Sequence, residues 1–312
     1  MRKFYAVAIL MFVLVGCNEP VELPHYEIGF ESQVSRAIVE SVEGLYNAGI
    51  KIFGTAIPQE GETILLFDAE NLSYSDELRD WDYTNTRYWV PQAKHHFCAV
   101  WPYATKCSFS YTDSKITIEH ESGSNGADLL YTTATRNLAE NEDYSAVSLS
   151  FHHACAALQF SIINASNAEV SKVSEIYLVG VKNEGTFTFG VDEEANWELG
   201  NSVVASNDYT TFGGKELTNL PVNINTKHSL YEGGAIVVLP QDIQGTDVTF
   251  HLKITKQDKS VEEKTVELGK LGGSTPTKWE AGKRYEYTLT VKENTIVSNV
   301  KVVPWVEHYV EL

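Results

Sequence analysis

Two histidine doublets, His95–His96 and His152–His153, are the first residues to suggest chemistry, because imidazole nitrogens ligate zinc. Successive residues of a regular strand point to opposite faces, so neither doublet can chelate one ion from a strand. No Cys-x-x-Cys or His-x-x-x-His spacing supports them. They read as packed or surface histidines, and the sequence supplies no other metal motif. A second candidate is the acidic run DELRDWD, with Asp76, Glu77, Asp80 and Asp82. A glycosidase needs two carboxylates roughly 5–10 Å apart in a cleft. Proximity in sequence does not establish that spacing, and a solvated loop is the plainer reading. The run also lacks the Asp spacing and central glycine of a calcium loop. With no Gly-x-Ser-x-Gly elbow, phosphate-cradling glycine loop or dinucleotide fingerprint, nothing argues for an enzyme or a cofactor.

Trp81, Tyr83, Tyr88, Trp89 and Trp101 crowd one region. They form either a platform for stacking sugars or the core of a β-sandwich. The last candidate is a single arginine. In QVSRAIV, residues 33–39, Arg36 is the first basic residue after Lys3, and the next is Lys51. It is either a solvated charge at a strand end or a place where a protease cuts.

The elements that must position these residues are β-strands. The chain has 312 residues, enough for two domains of ordinary size. Tyr, Thr, Val and Ile are abundant, and apolar residues alternate with period two in HYEIGFESQ and SKITIEHES. The stretch AVSLSFHHACAALQFSII keeps Val147, Leu149 and Phe151 in step. Short turn-forming stretches such as NEG and LGGST separate further strands, and helical periodicity is almost absent. These features predict an all-β sandwich architecture. The polar stretch ending near Asn141 suggests a boundary between domains at 28–143 and 144–312. The net charge of −18 disfavours binding to nucleic acid or to anionic lipid heads.

The N-terminus reads as a secretory signal over residues 1–16: a basic start at Arg2 and Lys3, an apolar run from Phe4 to Val15, then Gly16 before Cys17. Residues 17–27 follow as an acidic, proline-containing tether. The stretch LVGC resembles a bacterial lipobox, which implies cleavage before Cys17 and its acylation. Multiple acyl chains make a stable anchor. The processed chain would keep 22 basic and 42 acidic residues, a charge of −20. Removing Cys17 leaves Cys98, Cys107 and Cys155, an odd count that argues against a disulfide framework. Cys98 and Cys107 would face each other only if AVWPYATK formed a hairpin centred between Pro102 and Tyr103. Otherwise they are small buried residues.

In order along the chain, the lipobox, Arg36–Ala37, IKIFGTAI, YWVPQAKHHFCAVWPY, DLLYTTATR, VSLSFHHACAALQFSI, AIVVLPQ, WEAGKRYEYTLTV and VVPW resemble the fimbrillin family, subunits of type V pili. The resemblance implies two transthyretin-like β-sandwich domains in tandem. It also implies a non-enzymatic outer-membrane lipoprotein that mediates cell adhesion and works in an extracellular fimbrium. A trypsin-like protease would cut at Arg36–Ala37 and release the strand holding Tyr26, Ile28 and Phe30. A C-terminal strand from another pilin subunit would fill the vacated groove. Val300, Val302, Val306, Val310 and Leu312 share one parity and form a candidate donor strand; the alternative is an internal last strand of the second domain. The stretch after Trp305 is short for a donor, which suits a tip or minor subunit. Its partners would be other pilins, the processing protease, the membrane through its lipid, and a host or bacterial surface ligand. The competing reading is a glycan-binding lipoprotein of a polysaccharide uptake system, resting on exposure of Trp81 and Trp89.

Overall fold

The computed structural model describes residues 25–33, 47–75, 80–123, 128–206, 208–271, 275–293 and 295–305. The first ten strands are β1 (Phe30–Gln33), β2 (Ile50–Pro58), β3 (Ile64–Ser75), β4 (Asp80–Asp82), β5 (Ala93–Trp101), β6 (Ser108–Ser110), β7 (Lys115–Glu121), β8 (Leu130–Asn137), β9 (Val147–Ser150) and β10 (His152–His153). Then come β11 (Ala156–Asn164), β12 (Val170–Val179), β13 (Glu184–Gly190), β14 (Glu193–Leu199), β15 (Leu217–Leu220), β16 (His228–Ser229) and β17 (Ile236–Val238). The last are β18 (Gln241–Asp242), β19 (Thr249–Lys256), β20 (Val261–Glu267), β21 (Lys278–Trp279), β22 (Lys283–Val291) and β23 (Ile296–Pro304). The chain is an all-β sandwich protein, as its composition predicts. Among the described residues no helix is long and apolar enough to cross a membrane.

One six-stranded sheet runs β10-β8-β5-β2-β3-β4. Its central strands are covered on both faces, which is why IKIFGTAI and HHFCAVW are continuous apolar runs rather than alternating ones. Ile52, Phe97 and Ala99 point to one side, where Ile28, Phe30, Val147 and Leu149 complete a core. Phe53, Cys98 and Val100 point to the other, against Ile116 and Ile118 of β7 and Phe187 and Phe189 of β13. Gly54 sits where this packing is tightest. A β-carbon there would lie 2.8 Å from the Phe67 ring, closer than van der Waals contact allows.

A second sandwich faces the sheet β16-β11-β22-β23 with the sheet β15-β12-β19-β20. Its core is built on Phe160, whose ring stacks on Phe250 at 4.2 Å and Tyr287 at 4.9 Å.

The boundary expected at 143/144 is crossed by strand pairing in three places. β1 pairs in parallel with β9, β8 pairs with β10, and β7 pairs with β13 over seven residues. Part of the polar stretch before Asn141 is therefore strand β8, and residues 138–146 are a loop inside a layered core. Loop chemistry is local, whereas sheet membership depends on strands far away in sequence.

Candidate functional site

The N-terminal strand is held from both sides. The Ile28 amide donates to the Arg87 carbonyl at 2.9 Å, and the Trp89 amide donates to the Tyr26 carbonyl at 3.0 Å. On the other side Phe30 is in register with Val147, and the Val147 amide donates to the Gly29 carbonyl at 2.8 Å. Ile28 and Phe30 are each only 1% exposed. The Phe30 ring meets Phe67, Phe97 and Tyr83 edge-on at 5.4, 5.6 and 6.0 Å. Burying these two side chains contributes roughly 4–6 kcal/mol. Tyr26 departs from the expected alternation. It is 45% exposed and stacks on Tyr144 at 4.2 Å, because the apolar seat ends at Ile28. A solvent-accessible cleft of about 420 Å³ opens beside the strand, lined by Glu27, Ile28, Gly29, Trp81, Asp82 and Tyr83 among others.

The segment that clasps this strand is itself anchored. The Arg87 guanidinium donates to the Leu66 carbonyl at 2.8 Å and lies 3.7 Å from the Glu70 carboxylate. The Val90 amide donates to Nε2 of His95 at 3.1 Å, and the Trp89 ring meets the His95 ring edge-on at 4.8 Å. Burial pushes the His95 imidazole down to about 4, outweighing the Ala93 backbone, which acts in the opposite direction. The ring is therefore neutral near pH 7 and can accept the Val90 proton.

The two histidine doublets behave as strand geometry requires. His95 stacks beside Phe97, while Nδ1 of His96 lies 3.2 Å from the Ser114 hydroxyl on the opposite face. His152 is exposed, and His153 is buried. Among the described residues no group of three His, Cys, Asp or Glu could hold a metal ion. Asp76 and Glu77 lie outside the described residues, and Asp82 is exposed. The tryptophans of the aromatic cluster are core, Tyr83 is half-buried and Tyr88 is exposed. Trp81 is 7% and Trp89 5% exposed, and Trp101 is also buried, so none offers an open face for a sugar. Cys98 and Cys107 are free. β5 ends at Trp101 and the chain turns into β6 of another sheet, so no hairpin brings the two together. The Cys98 thiol donates instead to the Ser114 carbonyl at 3.2 Å.

At the C-terminal end, β23 is an edge strand paired antiparallel with β22 along all nine of its residues. Val300 is half-buried against the core, but Val302 is exposed and Val303 is the half-buried residue beyond it. The face expected to unite Val300 with Val302 thus breaks between them. Cys17, Arg36, Ala37, Val306, Val310 and Leu312 lie outside the described residues.

One cluster escapes the sequence altogether. Trp305 is buried and stacks flat on His153 at 4.1 Å, and Nδ1 of His153 lies 2.6 Å from a carboxylate oxygen of buried Asp128. Asp128, His153 and Trp305 are scattered along the chain, and no local pattern announces their meeting.

β-sheets layered around three apolar clusters, with a short first strand seated in one of them, define a β-sandwich protein whose N-terminal strand is a distinct element. The chain belongs to the fimbrillin-like family, whose sequence model matches residues 36–305. It shares its fold with a fimbrial protein from Bacteroides vulgatus: 17% identity, TM-score 0.61, covering 90% of this chain and 99% of that one. It is also similar to a putative cell adhesion protein from Bacteroides ovatus, at 14% identity and TM-score 0.55, covering 92% of this chain and 100% of that one. Another putative cell adhesion protein, from Bacteroides uniformis, is 15% identical with a TM-score of 0.50, covering 90% and 98%. No curated protein matches the chain.

Proposed function

We propose that the chain is a structural pilus subunit of the cell surface that assembles by exchange of β-strands. In this reading the precursor is an outer-membrane lipoprotein acylated at Cys17. A trypsin-like protease cuts at Arg36–Ala37, and the strand carrying Ile28 and Phe30 leaves with the lipid. Another subunit then supplies a strand to the emptied seat.

The observation that carries this is the seat itself. Ile28 and Phe30 fill an apolar core, yet among the described residues their strand pairs only with β9 and, through isolated bonds, with residues 87–89. Its removal would bare Phe67, Phe97 and Val147 and unpair backbone groups, which a new strand satisfies. Arg36 follows three positions after Gln33, so one cut severs this strand and nothing else of the core. The family match also begins at Arg36, leaving the strand outside it.

The other end supports a tip or minor position in this reading. Val300 and Val302 are committed to their own β22, so this chain is better equipped to accept a strand than to donate one. The uptake-lipoprotein reading loses its footing, because Trp81 and Trp89 are in the core. The test is the N-terminal sequence and mass of protein recovered from the cell surface. A chain starting at Ala37 is expected; recovery solely of an intact chain acylated at Cys17 would overturn the cleavage step.

A further inference from the structure

A second feature lies on the solvent face of the sheet β15-β12-β19-β20, in the other sandwich. Phe250, Leu252 and Ile254 of β19 point into the core, so His251 and Lys253 point outward. Register sets Tyr177 and Thr265 on either side of His251, and Glu263 beside Lys253. The Tyr177 ring lies flat against the His251 ring, 4.8 Å away and 2° from parallel. Both nitrogens of that imidazole are engaged, by Thr249 at 2.8 Å and Thr265 at 3.1 Å. Burial lowers its pKa, so the ring presents no charge near neutral pH.

Two departures from regular structure shape this place. β12 slips register between Ser174 and Tyr177, and Glu175 within the slip has φ +50°, a conformation that costs a non-glycine residue about 1 kcal/mol or more. Bulges of this kind re-aim side chains. Here the Glu175 carboxylate reaches Lys253 at 2.9 Å. Over the row comes Tyr209, from a loop bridged to Tyr177 through Gly213. The loop is set by Asp208, whose carboxylate accepts from the Thr210 and Thr211 amides at 2.8 and 3.1 Å. The Tyr209 ring stands at 86° to Tyr177, 4.6 Å away, and is 54% exposed. Together these residues enclose an open depression of about 130 Å³.

We infer that this depression binds one ring of a neutral saccharide, stacked on the exposed ring of Tyr209 with Tyr177 as the wall beside it. The C–H face of a pyranose carries slightly positive hydrogens, which suit the negative face of an aromatic ring. Glu175 and Glu263 accept hydrogen bonds from hydroxyls, and Lys253 donates one. Lys253 offsets Glu175 and leaves Glu263 as one net negative charge, so the site repels anions and favours a neutral ligand over an acidic one. The space equals about four waters, enough to seat part of one sugar ring against an open surface and too small for a drug-sized or lipid ligand. It lies on a sheet face rather than an edge, so an added strand does not fit it. Neither an exposed tyrosine poised over a bulge nor a left-handed glutamate serves the core.

The test is a titration of the purified full chain at neutral pH with methyl glycosides of galactose, mannose, fucose and N-acetylglucosamine, followed by saturation-transfer NMR. At least one should bind in the millimolar range, with transfer strongest to its ring C–H protons. Tyr209→Ala should weaken that binding by about tenfold, the scale of one lost stacking contact, and Tyr209→Phe should keep it. Tyr209 is on an exposed loop, so the variant leaves the cores intact. Absence of binding by all four glycosides, or equal binding by Tyr209→Ala, would overturn the inference. Neither result depends on cleavage or assembly, so the pilus reading stands or falls separately.

Discussion

The Tyr83 hydroxyl donates a hydrogen bond of 2.7 Å to the Ile28 carbonyl, while the Tyr83 ring packs edge-on against Phe30 and Phe67. A single side chain therefore ties down the backbone and the apolar anchor of the N-terminal strand together. That geometry makes the strand's contribution separable from the rest of the core.

Tyr83→Phe removes the hydroxyl and keeps the ring, at a cost of about 1 kcal/mol. Phe30→Ala empties a fully packed site and should cost about 3–5 kcal/mol. Urea unfolding of the full chain should register both losses. A chain trimmed to start at Ala37 should lose less on Tyr83→Phe, because the Ile28 carbonyl has gone and the hydroxyl keeps its longer bond from the Arg87 amide, at 3.3 Å. A similar loss in the trimmed chain would place the role of Tyr83 elsewhere.

Acid should loosen the clasp before it unfolds the sandwich of β11 and β22. The folded His95 is held down at about 4 against an ordinary value near 6.5. The unfolded chain therefore binds the proton more readily as pH falls. The stabilisation is fully present above about pH 6.5 and is lost on the way down to about 4, on the order of 3 kcal/mol in all. His96 and His120 are also lowered by burial, and they act in the same direction. Denaturation midpoints measured from pH 7 to pH 4 should fall, and His95→Gln should flatten part of the slope. An unchanged slope in the variant would remove His95 from this role.

Trp305 joins the end of β23 to the layer beneath the six-stranded sheet. Its amide donates to the Gly282 carbonyl at 2.8 Å, and its ring covers His153. Trp305→Ala should cost about 3–5 kcal/mol. Hydrogen exchange should rise in β10, in the first residues of β22 and in the last residues of β23 together. Exchange confined to β23 would show that the stack does not couple the two.

The cysteines should differ in reactivity. Burial pushes the Cys98 thiol up to about 12 and the Cys155 thiol well above its ordinary value, so neither supplies a thiolate near neutral pH. Cys107 is only half-buried, although burial raises its pKa as well. Iodoacetamide on the folded chain starting at Ala37 should give a single adduct, at Cys107, and three after denaturation. Resistance of Cys98 and Cys107 in denaturant without reductant would point to a disulfide between them.

The sequence by itself determined that the chain is built of strands and which face of a simple strand is buried. KITIEHE buries Ile116 and Ile118, and VSLS buries Val147 and Leu149, as their period-two pattern requires. That information is local, because the pleat alternates side chains whatever the partner. Tertiary structure decided everything that depends on what lies opposite. It made β2 and β5 central, covered on both faces, and sent Trp81 and Trp89 into the core. It left Tyr26 and Val302 outside the faces that parity assigned them. It also brought β7 to β13 across the expected boundary, Trp305 to His153, and Tyr209 over Tyr177. Those meetings join residues tens to more than a hundred positions apart, and packing selects them among many strands of equal propensity.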